Sequence, residues 1–195
     1  NYYEIKDPTI LQNCQAVVSF WNRSDLKELS GNKVKLNTYP FNYAYKLCPD
    51  EPYKDEPIGA FCSGFLVNSN TVVSAGHCVN KDDYKNKVVI FGYKMLSKEK
   101  ANLVIDKNDI YRIKSVIAWK LEGYGADFVV LKLDRPVKNV IPIKLADLDA
   151  QVGDKVSVIG HPMGLPIKNA PGGVVKTING GYFTATISAC AGNSG

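Results

Sequence analysis

From about residue 58 onward the chain is a succession of short apolar runs broken by Gly, Pro, Asn and Asp, and no other feature restricts its folding as much. The runs are 65–67, 71–74, 88–93, 111–119, 128–133, 156–159, 173–178 and 182–187, rich in Val, Ile, Phe and Tyr. Strands of that length with turn signals at such intervals predict an all-β sandwich or barrel. Long helical periodicity is absent. The best helical stretches are the residues just after His77 and residues 24–30, where Ser24 can cap a turn. Gly172 and Gly173 are not followed by the Lys-Ser or Lys-Thr of a phosphate loop, so a hairpin or bend is expected there. Trp21 and Trp119 read as core or interface residues. Pro136, directly after an apolar strand, interrupts the ladder and marks the expected joint between residues 1–135 and 136–195.

Charge and composition remove several functions. The net charge of +5 is spread over scattered Lys and Arg, among them Lys98, Lys100, Lys107, Arg112 and Lys114, with no run of five. That spacing describes solvated faces of strands and loops; a nucleic-acid partner would need a basic stripe interleaved with stacking aromatics. The apolar runs are far shorter than the roughly 20 residues that cross a bilayer, so no membrane span is expected. The first residues lack the basic-then-apolar pattern of a signal peptide, which implies a leader removed or not included. Five Cys stand at 14, 48, 62, 78 and 190 without zinc-knuckle spacing, so no metal or other cofactor is expected. They favour an oxidising compartment, secreted or periplasmic.

Three segments carry chemistry. Thr71-Val-Val-Ser-Ala-Gly-His77-Cys78 runs a strand into a small-residue turn that delivers one of only two His. Asp127-Phe-Val-Val-Leu-Lys-Leu133 opens an apolar strand with a carboxylate, which at a core edge is expected to be buried against a partner. Cys190-Ala-Gly-Asn-Ser194-Gly195 surrounds a serine with glycines that allow a tight turn, exposing Ser194 and cradling the N–H groups of Gly192 and Ser194. Base, orienting carboxylate and nucleophile with an oxyanion cradle are the parts of acyl transfer by serine. His161, in a Gly-His-Pro turn, reads as structural.

In the order His, Asp, Ser these segments resemble the trypsin and chymotrypsin superfamily, from about Cys48 to Gly195. Asn193 before the nucleophile, Val158-Ile-Gly-His-Pro-Met-Gly164 and Tyr182-Phe-Thr-Ala-Thr186 look most like the bacterial trypsin-like and glutamyl-endopeptidase branch. The resemblance implies two Greek-key antiparallel β-barrels. Residues 1–135 would hold an N-terminal arm and the first barrel, and residues 136–195 an incomplete second barrel. It implies His77, Asp127 and Ser194 as catalytic triad, Gly192 and Ser194 as oxyanion hole, and Ser188 and Ala189 at the floor of the specificity pocket. A polypeptide substrate follows, but not cleavage after Lys or Arg, because Ser188 supplies no negative charge. It further implies a disulfide between Cys62 and Cys78, with Cys14 and Cys48 as the natural second pair. Asn193, uncharged where animal digestive relatives carry Asp, implies no activation by a buried N-terminal ammonium. Strands after Gly195, in a continuing chain or a companion piece, would complete the second barrel and offer a partner for Cys190. The alternative to an endopeptidase is a catalytically silent homologue acting as a binding module.

Overall fold

The computed structural model describes residues 1–123 and 125–195. Six antiparallel strands, β1 (Val17–Asn22), β2 (Cys62–Asn68), β3 (Thr71–Ser74), β4 (Lys87–Ile90), β5 (Ile110–Leu121) and β6 (Asp127–Leu133), close into a barrel in the order β1-β2-β3-β6-β5-β4. Alternation drives the closure: in β6, Val129, Leu131 and Leu133 point inward while their neighbours do not. They meet Val18, Phe20, Leu66, Val72 and Val89, all fully buried, in one core. Three further strands, β7 (Lys155–Gly160), β8 (Lys168–Asn179) and β9 (Tyr182–Ala185), form a separate antiparallel sheet. Gly172 and Gly173 lie within β8, where a register slip opposite residues 156–158 bends the ladder, and Gly172 takes φ +87°.

Three expectations are corrected. The first concerns residues 24–30, which are not helical: a single 3-10 turn at Arg23–Asp25 leads into a short strand, Leu26–Glu28, paired with Lys33–Leu36. Likewise the stretch after His77 forms only turns, with one 3-10 turn at Tyr84–Asn86. The second concerns Cys14 and Cys48, which do not pair. Cys14 sits on the helix α1 (Pro8–Ala16), whose inner face packs it with Val17 and Ile167, while Cys48 is exposed on a surface loop. Burial pushes the Cys14 thiol up to about 11, so it behaves as a small apolar side chain. The third concerns β1 and α1, which precede the region where strands were expected. Asp7 caps α1 by accepting from the N–H groups of Thr9 and Ile10, with Pro8 at the first turn.

Candidate active site

Strand register brings the first two residues together. Ser74 at the end of β3 pairs with Val129 of β6, so the residues just past Ser74 lie opposite those just before Val129. The His77 turn and Asp127 therefore meet on one rim of the barrel. Gly76 is required in that turn, because a Cβ there would collide with the Lys120 carbonyl and reach 3.0 Å from that of Phe128. Trp119 Nε1 donates to the Gly76 carbonyl at 2.8 Å and fixes the turn from outside. The Cys62–Cys78 disulfide ties its other side to β2, and closing such a loop is worth about 3 kcal/mol in the chain-entropy picture.

Asp127 holds His77 at two points. Its Oδ1 accepts from the His77 backbone N–H at 3.0 Å, and its Oδ2 accepts from ring Nδ1 at 2.6 Å. Partial burial raises the Asp127 pKa, but hydrogen bonds from the His77 ring, the His77 N–H and the Gly76 N–H outweigh it and leave the group below the usual carboxylate range. An ionised carboxylate only accepts, so the proton sits on Nδ1 and leaves Nε2 with a lone pair. The pair is less buried than expected: the His77 and Asp127 side chains are 47% and 34% exposed.

The loop with Ser194 is docked against the end of the barrel. Ser63 N–H donates to the Ser194 carbonyl at 2.9 Å, Ser63 Oγ donates to the Gly192 carbonyl at 2.8 Å, and Met163 N–H donates to the Ala191 carbonyl at 2.6 Å. Cys78 Sγ lies 3.7 Å from the Ser194 carbonyl oxygen. That sulfur is in the disulfide and has no proton, so the contact is packing, and it sets Ser194 beside the residue that follows His77. Gly192 adopts φ +86°, and a Cβ there would approach the His161 carbonyl to 2.8 Å and the Met163 nitrogen to 2.9 Å, so only glycine fits. Among the described residues neither the Gly192 nor the Ser194 N–H meets a protein acceptor, and no hydrogen bond joins the Ser194 hydroxyl to the His77 ring. Ser188 and Ala189 are both exposed, in the irregular stretch after β9.

One cluster among the described residues has metal-ligand spacing: Cys62, His77 and Cys78, with ligand atoms within 4.8 Å of one another. Its two sulfurs are bonded to each other and offer no thiolate.

His161 is 2% exposed, stacks on Tyr93 at 5.6 Å between ring centroids, and donates from Nδ1 to the Leu165 carbonyl at 3.0 Å. It helps line a cavity of about 250 Å³ with Cys14, Tyr93 and Ile167, none of His77, Asp127 or Ser194 among the lining. Burial pushes its pKa down to about 4 from 6.5. Between those two values the unfolded chain takes up a proton that the folded chain refuses, so stability falls as pH drops from 6.5 to 4, by roughly 3 kcal/mol, and is flat above. Urea unfolding of wild type and His161→Gln at pH 7 and 4.5 tests this; an unchanged pH slope in the variant refutes it. Asp127 acts lower on the scale, its contribution being lost only as pH falls below the ordinary carboxylate value.

Sequence reasoning missed Ser63, Ser74 and the Glu56–Lys168 pair. Lys168 Nζ lies 2.6 Å from Glu56 Oε2, with both side chains under 10% exposed. No local pattern announces a contact between residues so far apart in sequence.

The family model described as "Trypsin" matches residues 52–195. Alpha-fibrinogenase albofibrase of Trimeresurus albolabris is 30% identical over 113 residues, covering 56% of this chain and 42% of that protein. The thrombin-like enzyme saxthrombin of Gloydius intermedius is 30% identical over 121 residues with the same coverages. The chain spans about half the length of the curated relatives it matches. Among solved structures, the active form of the Rv3671c protease from M. tuberculosis superposes with TM-score 0.55 at 16% identity, covering 98% of this chain and 67% of that one, a likeness of fold. Because the family match runs through the His77 turn, Asp127 and the Ser194 loop, over most of the sequence, this chain belongs to the trypsin family.

Proposed function

We propose that the chain is the catalytic core of a secreted serine endopeptidase. In this reading Nε2 of His77 takes the Ser194 Oγ proton, Ser194 attacks the scissile carbonyl, and the Gly192 and Ser194 N–H groups receive the oxyanion. The observation that carries it is the two-point grip of Asp127 on His77, which fixes both the ring and its tautomer. The uncommitted N–H groups of the Ser194 loop support it further. Export is supported by the Cys62–Cys78 disulfide. Asn193, whose Oδ1 packs against Gly160, supports an enzyme that needs no buried ammonium and lies nearer the bacterial branch. Ser188 offers no charge to a basic side chain, so cleavage after Lys or Arg is not expected.

A second reading, a catalytically silent binding module, rests on the unmade bond between the Ser194 hydroxyl and His77. Such bonds often tighten only when substrate binds. A fluorophosphonate separates the two: Ser194 Oγ bonds to phosphorus, fluoride leaves, and the hydroxyl proton passes to His77. The expected result is one adduct, mapped to Ser194 by peptide mass, with no turnover of an arginyl reporter. Ser194 left unmodified where a trypsin control is saturated favours the binding module, and rapid arginyl turnover overturns the specificity.

A further inference from the structure

Ser63, in β2, is 1% exposed, has every polar atom hydrogen-bonded, and links the barrel to the Ser194 loop through its N–H and its hydroxyl. Its N–H donates to the Ser194 carbonyl at 2.9 Å, and its carbonyl accepts from Ser74 Oγ at 2.7 Å. Its hydroxyl accepts from the His161 N–H at 2.9 Å and donates to the Gly192 carbonyl at 2.8 Å. These directions are forced. A backbone N–H can only donate and a carbonyl can only accept, so the one hydroxyl proton has one place to go.

The consequence falls on Gly192, the residue in the loop whose backbone turns most freely. The peptide before it is pinned by Met163 N–H on the Ala191 carbonyl, at 2.6 Å. The peptide after it is held on its carbonyl by the Ser63 hydroxyl at 2.8 Å and, on its other side, by the longer bond from the Asn193 N–H to the Cys190 carbonyl at 3.2 Å. With both planes fixed, Gly192 holds φ +86° and its own N–H stays free of any acceptor among the described residues. Without the Ser63 bond, the following peptide keeps only the longer Asn193–Cys190 bond, within the loop itself, and no hydrogen bond among the described residues ties it to the barrel. The loop can then shift toward arrangements in which that N–H no longer faces the reacting carbonyl. We propose that Ser63 is a positioning residue for the oxyanion donors, acting through its hydroxyl on Gly192. This rests on the acyl-transfer reading above. Gly160 belongs to the same device: a Cβ there would come within 2.9 Å of Ser63 Oγ and 2.6 Å of Asn193 Oδ1, so a bare backbone is needed for the bridge to form.

The test compares two hydroxyl deletions in the full chain. Ser63→Ala leaves the Gly192 carbonyl and His161 N–H without partners. Ser74→Ala removes an equally buried bond at the same strand junction without touching Gly192. For Ser63→Ala, fluorophosphonate labelling and affinity for a peptide boronate, which forms a tetrahedral adduct, are expected to fall together by about 10- to 100-fold. The KM for a peptide ester should stay within about twofold, because ground-state contacts are elsewhere. For Ser74→Ala the melting temperature drops comparably, while labelling stays within about threefold of wild type. Gly160→Ala attacks the bridge from the other side and is expected to show the same split between boronate affinity and KM, which keeps the role testable should Ser63→Ala not fold. Parallel losses in both serine variants, or a Ser63→Ala protein labelled at the wild-type rate, overturn the positioning role and leave the protease reading intact. A wild-type protein that never labels removes both.

Discussion

Asp127→Asn is expected to lower the rate of Ser194 labelling by about 10⁴-fold while leaving the fold in place. Three donors point at this side chain, the backbone N–H groups of Gly76 and His77 and ring Nδ1–H of His77, and a carboxylate accepts from all of them. An amide has one oxygen. The backbone N–H groups cannot change their nature, so the amide oxygen must serve them, and the amide NH₂ then faces the ring. That forces Nδ1 to accept and moves the ring proton to Nε2, where it blocks uptake of the serine proton. Size, shape and the strand register opposite Leu121 are all kept. Stopped-flow labelling at pH 7.5, with circular dichroism to verify the fold, measures it. A variant within about tenfold of wild type would mean that Asp127 does not orient His77 for chemistry, since a tautomer error alone is worth more than that.

The same register argument explains which parts of the site were legible in the sequence. The strands carrying His77 and Asp127 alternate or end in marked turns, so their existence and their chemistry could be read from Thr71 to Cys78 and from Asp127 to Leu133. Strand β1 could not be read that way, because both of its faces are covered. Val18 and Phe20 enter the barrel core while Trp21 packs beneath Leu36, Tyr93 and Ile105, so Val17 to Trp21 are all buried and no alternation appears. Helix α1 did carry a signal, Asp7-Pro8, a cap and first-turn pair. Residues 24–30 misled because Ser24 is a plausible cap in isolation, whereas pairing of Leu26–Glu28 with Lys33–Leu36 decides the local structure. The Cys14–Cys48 pairing failed for a related reason. Which way a cysteine faces depends on what its helix packs against, here Val17 and Ile167, and that is a tertiary fact. Ser63 illustrates the limit: a serine in a strand is unremarkable until two distant segments, at His161 and Gly192, converge on its hydroxyl.

The largest effect on stability is expected from Glu56→Gln, about 3–5 kcal/mol at pH 6, because it leaves the Lys168 ammonium buried without its ion-pair partner. Lys168 keeps the Pro166 carbonyl at 3.0 Å, the Tyr53 ring, 4.8 Å from Nζ to its centroid, and a weaker attraction to the exposed Glu4 carboxylate with no hydrogen bond to it, none of which replaces the Glu56 ion pair. The pair joins the segment before β2 to the first residue of β8, so the loss is expected to loosen the second sheet from the barrel. The pH dependence identifies the cause. Burial already lowers the Lys168 pKa, with Glu56 opposing the shift, and removing Glu56 lowers it further. Between that depressed value and the ordinary 10.5 the unfolded chain holds a proton that the folded variant has released, so the stability of the variant rises with pH across the window. Guanidinium unfolding should therefore show a deficit that is smaller at pH 10 than at pH 6. Glu56→Leu combined with Lys168→Met, which removes both charges, should recover most of the loss, since paired apolar replacements avoid desolvation of either ion. A deficit independent of pH, or one that the double replacement does not relieve, would assign the effect to shape at residue 56 and not to the unpaired ammonium.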